Sequence, residues 1–154
     1  MPLNKEKVKV LFVCTGNACR SQIAEGWARH LKSDVIEAYS AGVSPATLSS
    51  RATSVMAEAG VDISMQRSKH IDDVSDIEFD YIVTVCDNAR EYCSIFPGAG
   101  KLIHRMFEDP SFMVAAEKEV MTAFRKLRDK IRAFVETMPE SLEKLAKESR
   151  KAEE

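Results

Sequence analysis

The sequence predicts an α/β domain, a parallel sheet with helices on both faces. Three observations lead there. Apolar, β-branched runs such as residues 8–13 and 79–85 alternate little, the pattern of strands buried on both faces. Segments with apolar residues three and four apart, the amphipathic-helix pattern, stand between and after them. Strands alternating with helices in this order close as parallel sheets through crossover connections.

Val8-Lys9-Val10-Leu11-Phe12-Val13 is the first strand, and Ile23, Ala24, Trp27, Ala28 and Leu31 mark the helix that follows. Residues 35–40 read as the second strand, closed by the turn Ala41-Gly42-Val43-Ser44-Pro45. Leu48, Ala52, Val55, Met56 and Ala59 share one helical face, and Gly60 supplies the C-terminal stop. Residues 61–69 read as irregular and 71–77 as a short helix. Residues 79–85 form the third strand, which runs into Cys86, and residues 100–106 the fourth, ending before Glu108-Asp109-Pro110. From Ala115 onward, Val120, Phe124, Leu127, Ile131, Val135 and Met138 mark a long amphipathic helix, interrupted at Pro139. Beyond it only Leu142, Leu145 and Ala146 offer themselves for burial, so the end reads as one more helix or a frayed tail. The expected organisation is one domain over residues 1–138 and an extension over 139–154.

At 154 residues, a single domain buries about 70% of its unfolded surface. A formal net charge of −2 gives no basis for nucleic acid or an anionic membrane as partner. The N-terminal apolar run is too short for a signal peptide or a membrane span, so a cytoplasmic location is expected. Four cysteines in such a chain do not make a disulfide framework. The Cys14/Cys19 and Cys86/Cys93 spacings lack the CxxC pattern of zinc sites, and His30, His70 and His104 show no ligand spacing, so no metal is expected. His30 reads as helix C-terminal, His70 and His104 as surface or loop residues.

The chemistry concentrates in Cys14-Thr15-Gly16-Asn17-Ala18-Cys19-Arg20-Ser21, between the first strand and the first helix. There the backbone N–H groups of the loop and of the first helical turn point into one concavity, which suits an oxyanion. Gly16 and Asn17 are residue types that tolerate the left-handed backbone of a tight cradle, and Arg20 brings a fork of donors matched to a tetrahedral anion. A cysteine at a helix N-terminus beside an arginine is the setting that favours a thiolate nucleophile, and Ser21 is placed to donate to its sulfur. A cysteine after a buried strand is by itself more often a core residue. It is the joint C-x5-R-S pattern, with Gly and Asn inside it, that points to a phosphate-like anion site. The loop is not the GxxxxGK[ST] nucleotide motif.

Cys86 and Cys93 lie seven positions apart in a segment of good helical character. In a helix their Cα atoms would be about 10.5 Å apart, against the roughly 4.4–6.8 Å of a disulfide, so they join only if the segment unwinds. Read alone, they are either a redox pair or two unrelated thiols.

The C-x5-R-S loop on the first strand resembles the active-site loop of the low-molecular-weight protein tyrosine phosphatase superfamily. The fuller string Cys-Thr-Gly-Asn-Ala-Cys-Arg-Ser-Gln-Ile-Ala-Glu-Gly-Trp is similar to that of its thioredoxin-coupled arsenate reductase branch, over about residues 8–135. The resemblance implies strand order 2-1-3-4, which makes the Cys14 and Cys86 strands neighbours about 4.8 Å apart. It implies an oxyanion cradle of Thr15, Gly16, Asn17, Ala18, Cys19 and Arg20, and arsenate as substrate, with phosphate or sulfate competing. It implies a three-thiol relay: Cys14 attacks arsenate, Cys86 resolves the adduct to release arsenite, and Cys93 resolves the Cys14–Cys86 disulfide. The resulting Cys86–Cys93 disulfide is left to thioredoxin, an external reductant, and no bound cofactor is expected. Asp109 before Pro110 is the general acid by the same resemblance, whereas pattern alone makes it a turn residue. The phosphatases carry tyrosines just after this Asp-Pro, where Ser111-Phe112-Met113 stand here.

Cys19 reads as packing or as an oxidation partner of Cys14. Some reductases of the family hold potassium near the loop, and Asn17, Glu25 and Ser40 match positions that hold it. Lys69 falls where those members have an acidic ligand, so no tightly bound potassium is expected. Weak phosphatase activity beside reduction is expected, and a phosphatase or a non-catalytic thiol sensor remains the alternative.

Overall fold

The computed structural model describes residues 6–85 and 100–153. Strands β1 (Val8–Cys14), β2 (Ile36–Gly42), β3 (Tyr81–Thr84) and β4 (Lys101–His104) form one parallel sheet in the order β2-β1-β3-β4. That is the 2-1-3-4 order implied above. Val10 through Cys14 and all of β3 are buried without a break, so both faces of the sheet are covered. β1 pairs with β2 from Val8↔Ile36 to Cys14↔Gly42 and with β3 from Val10↔Tyr81 to Val13↔Thr84. β2 runs to Gly42, two residues past its expected end, because β1 offers it partners up to Cys14. β4 has only the four residues of β3 to pair with and is correspondingly short.

Helix α1 (Arg20–Lys32) buries Ile23, Ala24, Trp27 and Ala28. The Trp27 indole donates to the Arg128 carbonyl at 3.1 Å, and the Arg132 guanidinium lies 4.9 Å from the ring centre. Both arginines belong to α3 (Glu117–Glu136), whose buried stripe is Val120, Phe124, Leu127, Ile131, Phe134 and Val135. Helix α2 (Ser50–Glu58) starts under the Ser49 side chain, which accepts from the Ala52 N–H, and stops at Gly60, φ +83°. Arg125 and Arg128 tie it to α3 through Glu58 at 2.9 and 3.2 Å.

The helix expected over 71–77 is a single 3₁₀ turn, Ile71–Val74. The Ser75 N–H and hydroxyl both bond back to the Asp72 carbonyl, closing the turn before it propagates. The end of the chain is helical: α4 (Glu140–Glu153) puts Leu142 and Ala146 into the core and packs against β4. His30 lies in the last turn of α1 and His70 caps the 3₁₀ turn. His104 is a strand residue, exposed on β4, with Nδ1 2.5 Å from the Thr84 hydroxyl. No helix among the described residues is long and apolar enough to cross a membrane.

Candidate active site

Parallel pairing delivers the chain ends to one edge of the sheet, where loops collect functional groups. β1 ends at Cys14, and the Val85 N–H bonds to the Val13 carbonyl at 2.9 Å, so the chain leaving β3 starts beside the chain leaving β1. Cys86 follows Val85, and both Cys86 and Cys93 lie outside the described residues.

The loop 15–19 turns on Asn17, the one non-glycine residue with positive φ (48°) among those described, and Asn17 is fully buried. Its N–H donates to the Cys14 sulfur at 3.2 Å and its Nδ2 to the Ser21 hydroxyl at 2.9 Å, while that hydroxyl lies 2.8 Å from the same sulfur. Among the described residues Cys14 thus has two polar neighbours, as the sequence anticipated for Ser21 and did not for Asn17. Three backbone bonds from the β2–α2 connection hold the loop from outside: Ser44 N–H to Thr15, Ala46 N–H to Gly16 and Ser49 N–H to Ala18, at 2.8–2.9 Å. Gly42 makes that approach possible. A Cβ there would lie 2.7 Å from the Thr15 carbonyl and 2.8 Å from the Asn17 nitrogen.

Cys14, Thr15, Gly16, Ala18, Cys19 and Arg20 line a cavity of about 440 Å³, closed on its other sides by Ser44, Ala46, Thr47, Ser49, Asp109, Ser111 and Phe112. Cys19 is the N-cap of α1 and makes no side-chain capping bond, which leaves the first-turn donors to an acceptor from outside the helix. Burial raises the Cys19 thiol well above its ordinary value, Asp109 and Cys14 adding to it, so this sulfur is a neutral packing group in the reduced protein. Arg20 donates from Nη1 to the Phe107 carbonyl at 3.1 Å and sits 3.6 Å from the Asp109 carboxylate. Its buried Nε has no partner among the described residues, a donor suited to an anion in the cavity. The other Asp109 oxygen accepts from the Ser111 N–H at 2.9 Å, which turns the Asp109-Pro110 corner toward the cavity.

Behind the loop, Ser40 donates to the buried Glu25 carboxylate at 2.5 Å, Arg29 lies 3.1 Å from it and the Lys69 ammonium 3.8 Å. Lys69 also donates from Nζ to the Arg67 carbonyl at 2.9 Å and from its backbone to Asn17 Oδ1 at 2.7 Å. Two cationic side chains already face Glu25, so this set does not suit a further monovalent cation. A larger groove of about 660 Å³ runs past Glu25, Gln66 and Lys69 on that side and does not include Cys14.

Sequence reasoning missed Gln22, Gln66, the Phe107 carbonyl and the 44–49 clamp. Gln22 carried a signal, a polar residue directly before the apolar stripe of α1. The others act through backbone atoms or across long sequence separations and leave no local pattern.

Comparisons with known proteins agree with this architecture. The family model for low molecular weight phosphotyrosine protein phosphatase matches residues 9–154. An arsenate reductase of Bacillus subtilis (strain 168) is 41% identical over 134 residues, covering 83% of this chain and 95% of its own. A solved arsenate reductase in the phosphate binding state is 28% identical with a TM-score of 0.66, covering 85% of this chain and 95% of that one. A low molecular weight protein tyrosine phosphatase from T. tengcongensis is 29% identical with a TM-score of 0.69, covering 84% and 96%.

Proposed function

The chain belongs to the low molecular weight phosphotyrosine protein phosphatase family, and from that premise we propose that it is an arsenate reductase working by a three-cysteine relay. The observation that carries the reading is the Cys14 sulfur with Ser21 and Asn17 at 2.8 and 3.2 Å, in a cavity that also holds Arg20 and Asp109. Its curated relatives named arsenate reductases support the substrate.

Arsenate sits on the amides of Thr15, Gly16, Ala18, Cys19 and Arg20 and on the Arg20 guanidinium, while the Asn17 N–H serves the Cys14 sulfur. The Cys14 thiolate attacks arsenic, an S–As bond forms, and the departing oxygen leaves as water with a proton from Asp109. Cys86 then attacks the Cys14 sulfur. The S–As bond breaks with its electron pair passing to arsenic, As(V) becomes As(III), and arsenite leaves behind a Cys14–Cys86 disulfide. Cys93 attacks Cys86 and returns Cys14 to its thiolate, giving a Cys86–Cys93 disulfide that a thioredoxin dithiol reduces. Two thiols supply the two electrons, so no bound cofactor or metal is needed, and a reducing cytoplasm is the natural setting. Lys69 and Arg29 beside Glu25 supply the positive charge that a potassium ion would bring.

The test is arsenate-dependent NADPH oxidation with thioredoxin and thioredoxin reductase. Turnover lost in each of Cys14→Ser, Cys86→Ser and Cys93→Ser supports the relay. Aryl phosphate hydrolysis that survives Cys86→Ser and Cys93→Ser, with no arsenate turnover in the wild type, turns the reading to a phosphatase. That second reading draws on Phe112, an aromatic ring at the cavity lip. Absence of both activities leaves a thiol sensor.

A further inference from the structure

Asn17 places the two polar groups that meet the Cys14 sulfur among the described residues, one directly and one through Ser21, yet it holds a left-handed conformation that a non-glycine residue adopts at a cost. Something must hold it there. Gln22 is fully buried in the first turn of α1, and its Nε2 lies 2.9 Å from the Asn17 carbonyl, 3.1 Å from Asn17 Oδ1 and 3.0 Å from the Arg67 carbonyl. Three oxygens around one end of the amide require that end to be the nitrogen. The other end accepts from Gln66 Nε2 at 2.7 Å, and the same Gln66 nitrogen lies 3.1 Å from the Gln22 carbonyl. Gln66 thereby gives the buried Gln22 oxygen its partner and anchors the amide in that orientation. Neither glutamine lines the cavity that holds Cys14.

We infer that Gln22 and Gln66 form an amide relay that positions the nucleophile: Gln66 anchors Gln22, Gln22 helps hold Asn17, and Asn17 aims its own N–H and the Ser21 hydroxyl at the Cys14 sulfur. The inference rests on the reading of Cys14 as the nucleophile. Both glutamines are positioning residues. Without the Gln66 donor, the buried Gln22 oxygen loses its partner, the amide seats less firmly on the Asn17 oxygens, and the left-handed turn, held otherwise by the Ser68 hydroxyl and the Lys69 N–H, loosens. The relay also links the irregular 61–69 segment, which faces the larger groove, to the sulfur without any contact with substrate.

The test is the pH dependence of Cys14 alkylation by iodoacetamide, followed on the Cys14 peptide by mass spectrometry so that the other thiols do not interfere. In Gln66→Met the pH of half-maximal reaction rises by about one unit, equivalent to about tenfold slower alkylation below it. Gln66→Glu keeps the volume, replaces the donor by acceptors and gives the same upward shift. Gln22→Met shifts it at least as far. Profiles that superimpose on the wild type in Gln66→Met and Gln66→Glu overturn the relay. So does a lowered melting temperature with an unmoved profile, the mark of a merely structural role. The measurement uses no substrate, so a chain that fails to reduce arsenate and a relay that fails to hold are separate outcomes.

Discussion

At the scale of the residue, the site depends on a few polar atoms around one sulfur. Ser21 lies 2.8 Å from it, and a hydrogen bond to a charged group contributes about 1.5–3 kcal/mol. Ser21→Ala therefore lowers kcat for arsenate by about ten- to a hundredfold, while the fold, read by circular dichroism, is unchanged. Lys69 gives a second prediction. Burial lowers its ammonium from the ordinary value, Glu25 opposing and Arg29 and Arg67 adding to the effect. The unfolded chain then keeps this proton to higher pH than the folded one. Stability of the wild type relative to Lys69→Met consequently rises as pH climbs from that lowered value toward 10.5, and levels off above it. Thermal unfolding of both proteins from about pH 8 to about pH 11 checks the sign. Wild-type turnover is the same in potassium and in sodium at equal ionic strength, and clear activation by potassium would oppose the role given to Lys69. The cradle composition was legible because Cys, Gly, Asn, Arg and Ser each carry a distinct chemistry at a fixed offset. The amides behind it were not, because Gln66 meets Gln22 only across a sequence separation of 44.

Between elements, close packing decides how the loop is held. In a helix, Gly→Ala ordinarily gains about 1 kcal/mol. At Gly26 of α1, however, a Cβ lands 2.6 Å from the fully buried Ile63 Cγ2 and 3.2 Å from the Met56 side chain, an overpacking that costs about 1–3 kcal/mol. Overpacking wins, and Gly26→Ala lowers the melting temperature. At Gly42 the obstruction is loop backbone, so Gly42→Ala loses anion affinity. Phosphate protection of Cys14 against alkylation weakens by about tenfold, consistent with an overpacking cost of the same size. The strands and the helices α1, α2 and α3 were legible from periodicity. The short helix within 71–77 is only the 3₁₀ turn Ile71–Val74, because apolar spacing says nothing of the Ser75 bonds that close it.

For the molecule as a whole, strand alternation gave the parallel sheet, but strand order came from resemblance, since no local pattern records which strands become neighbours. The final helix was ambiguous for a related reason. Only a few apolar residues in it turn inward, and β4, the surface they meet, is contributed from elsewhere in the chain. Leu142 is fully buried there, so Leu142→Ala costs about 2–5 kcal/mol and lowers the melting temperature by roughly 5–15 °C. Because α4 packs away from the cavity, turnover measured well below the transition stays near that of the wild type. β1 is the other extreme. It is bonded along both edges, and no residue from Val10 to Cys14 reaches solvent appreciably. Its amides therefore exchange hydrogen with water only when the whole domain opens, whereas those of the edge strand β4 exchange through smaller fluctuations. The reactive sulfur is the last residue of this slowest-exchanging strand, so fraying elsewhere leaves it in place, and loss of activity on heating tracks global unfolding.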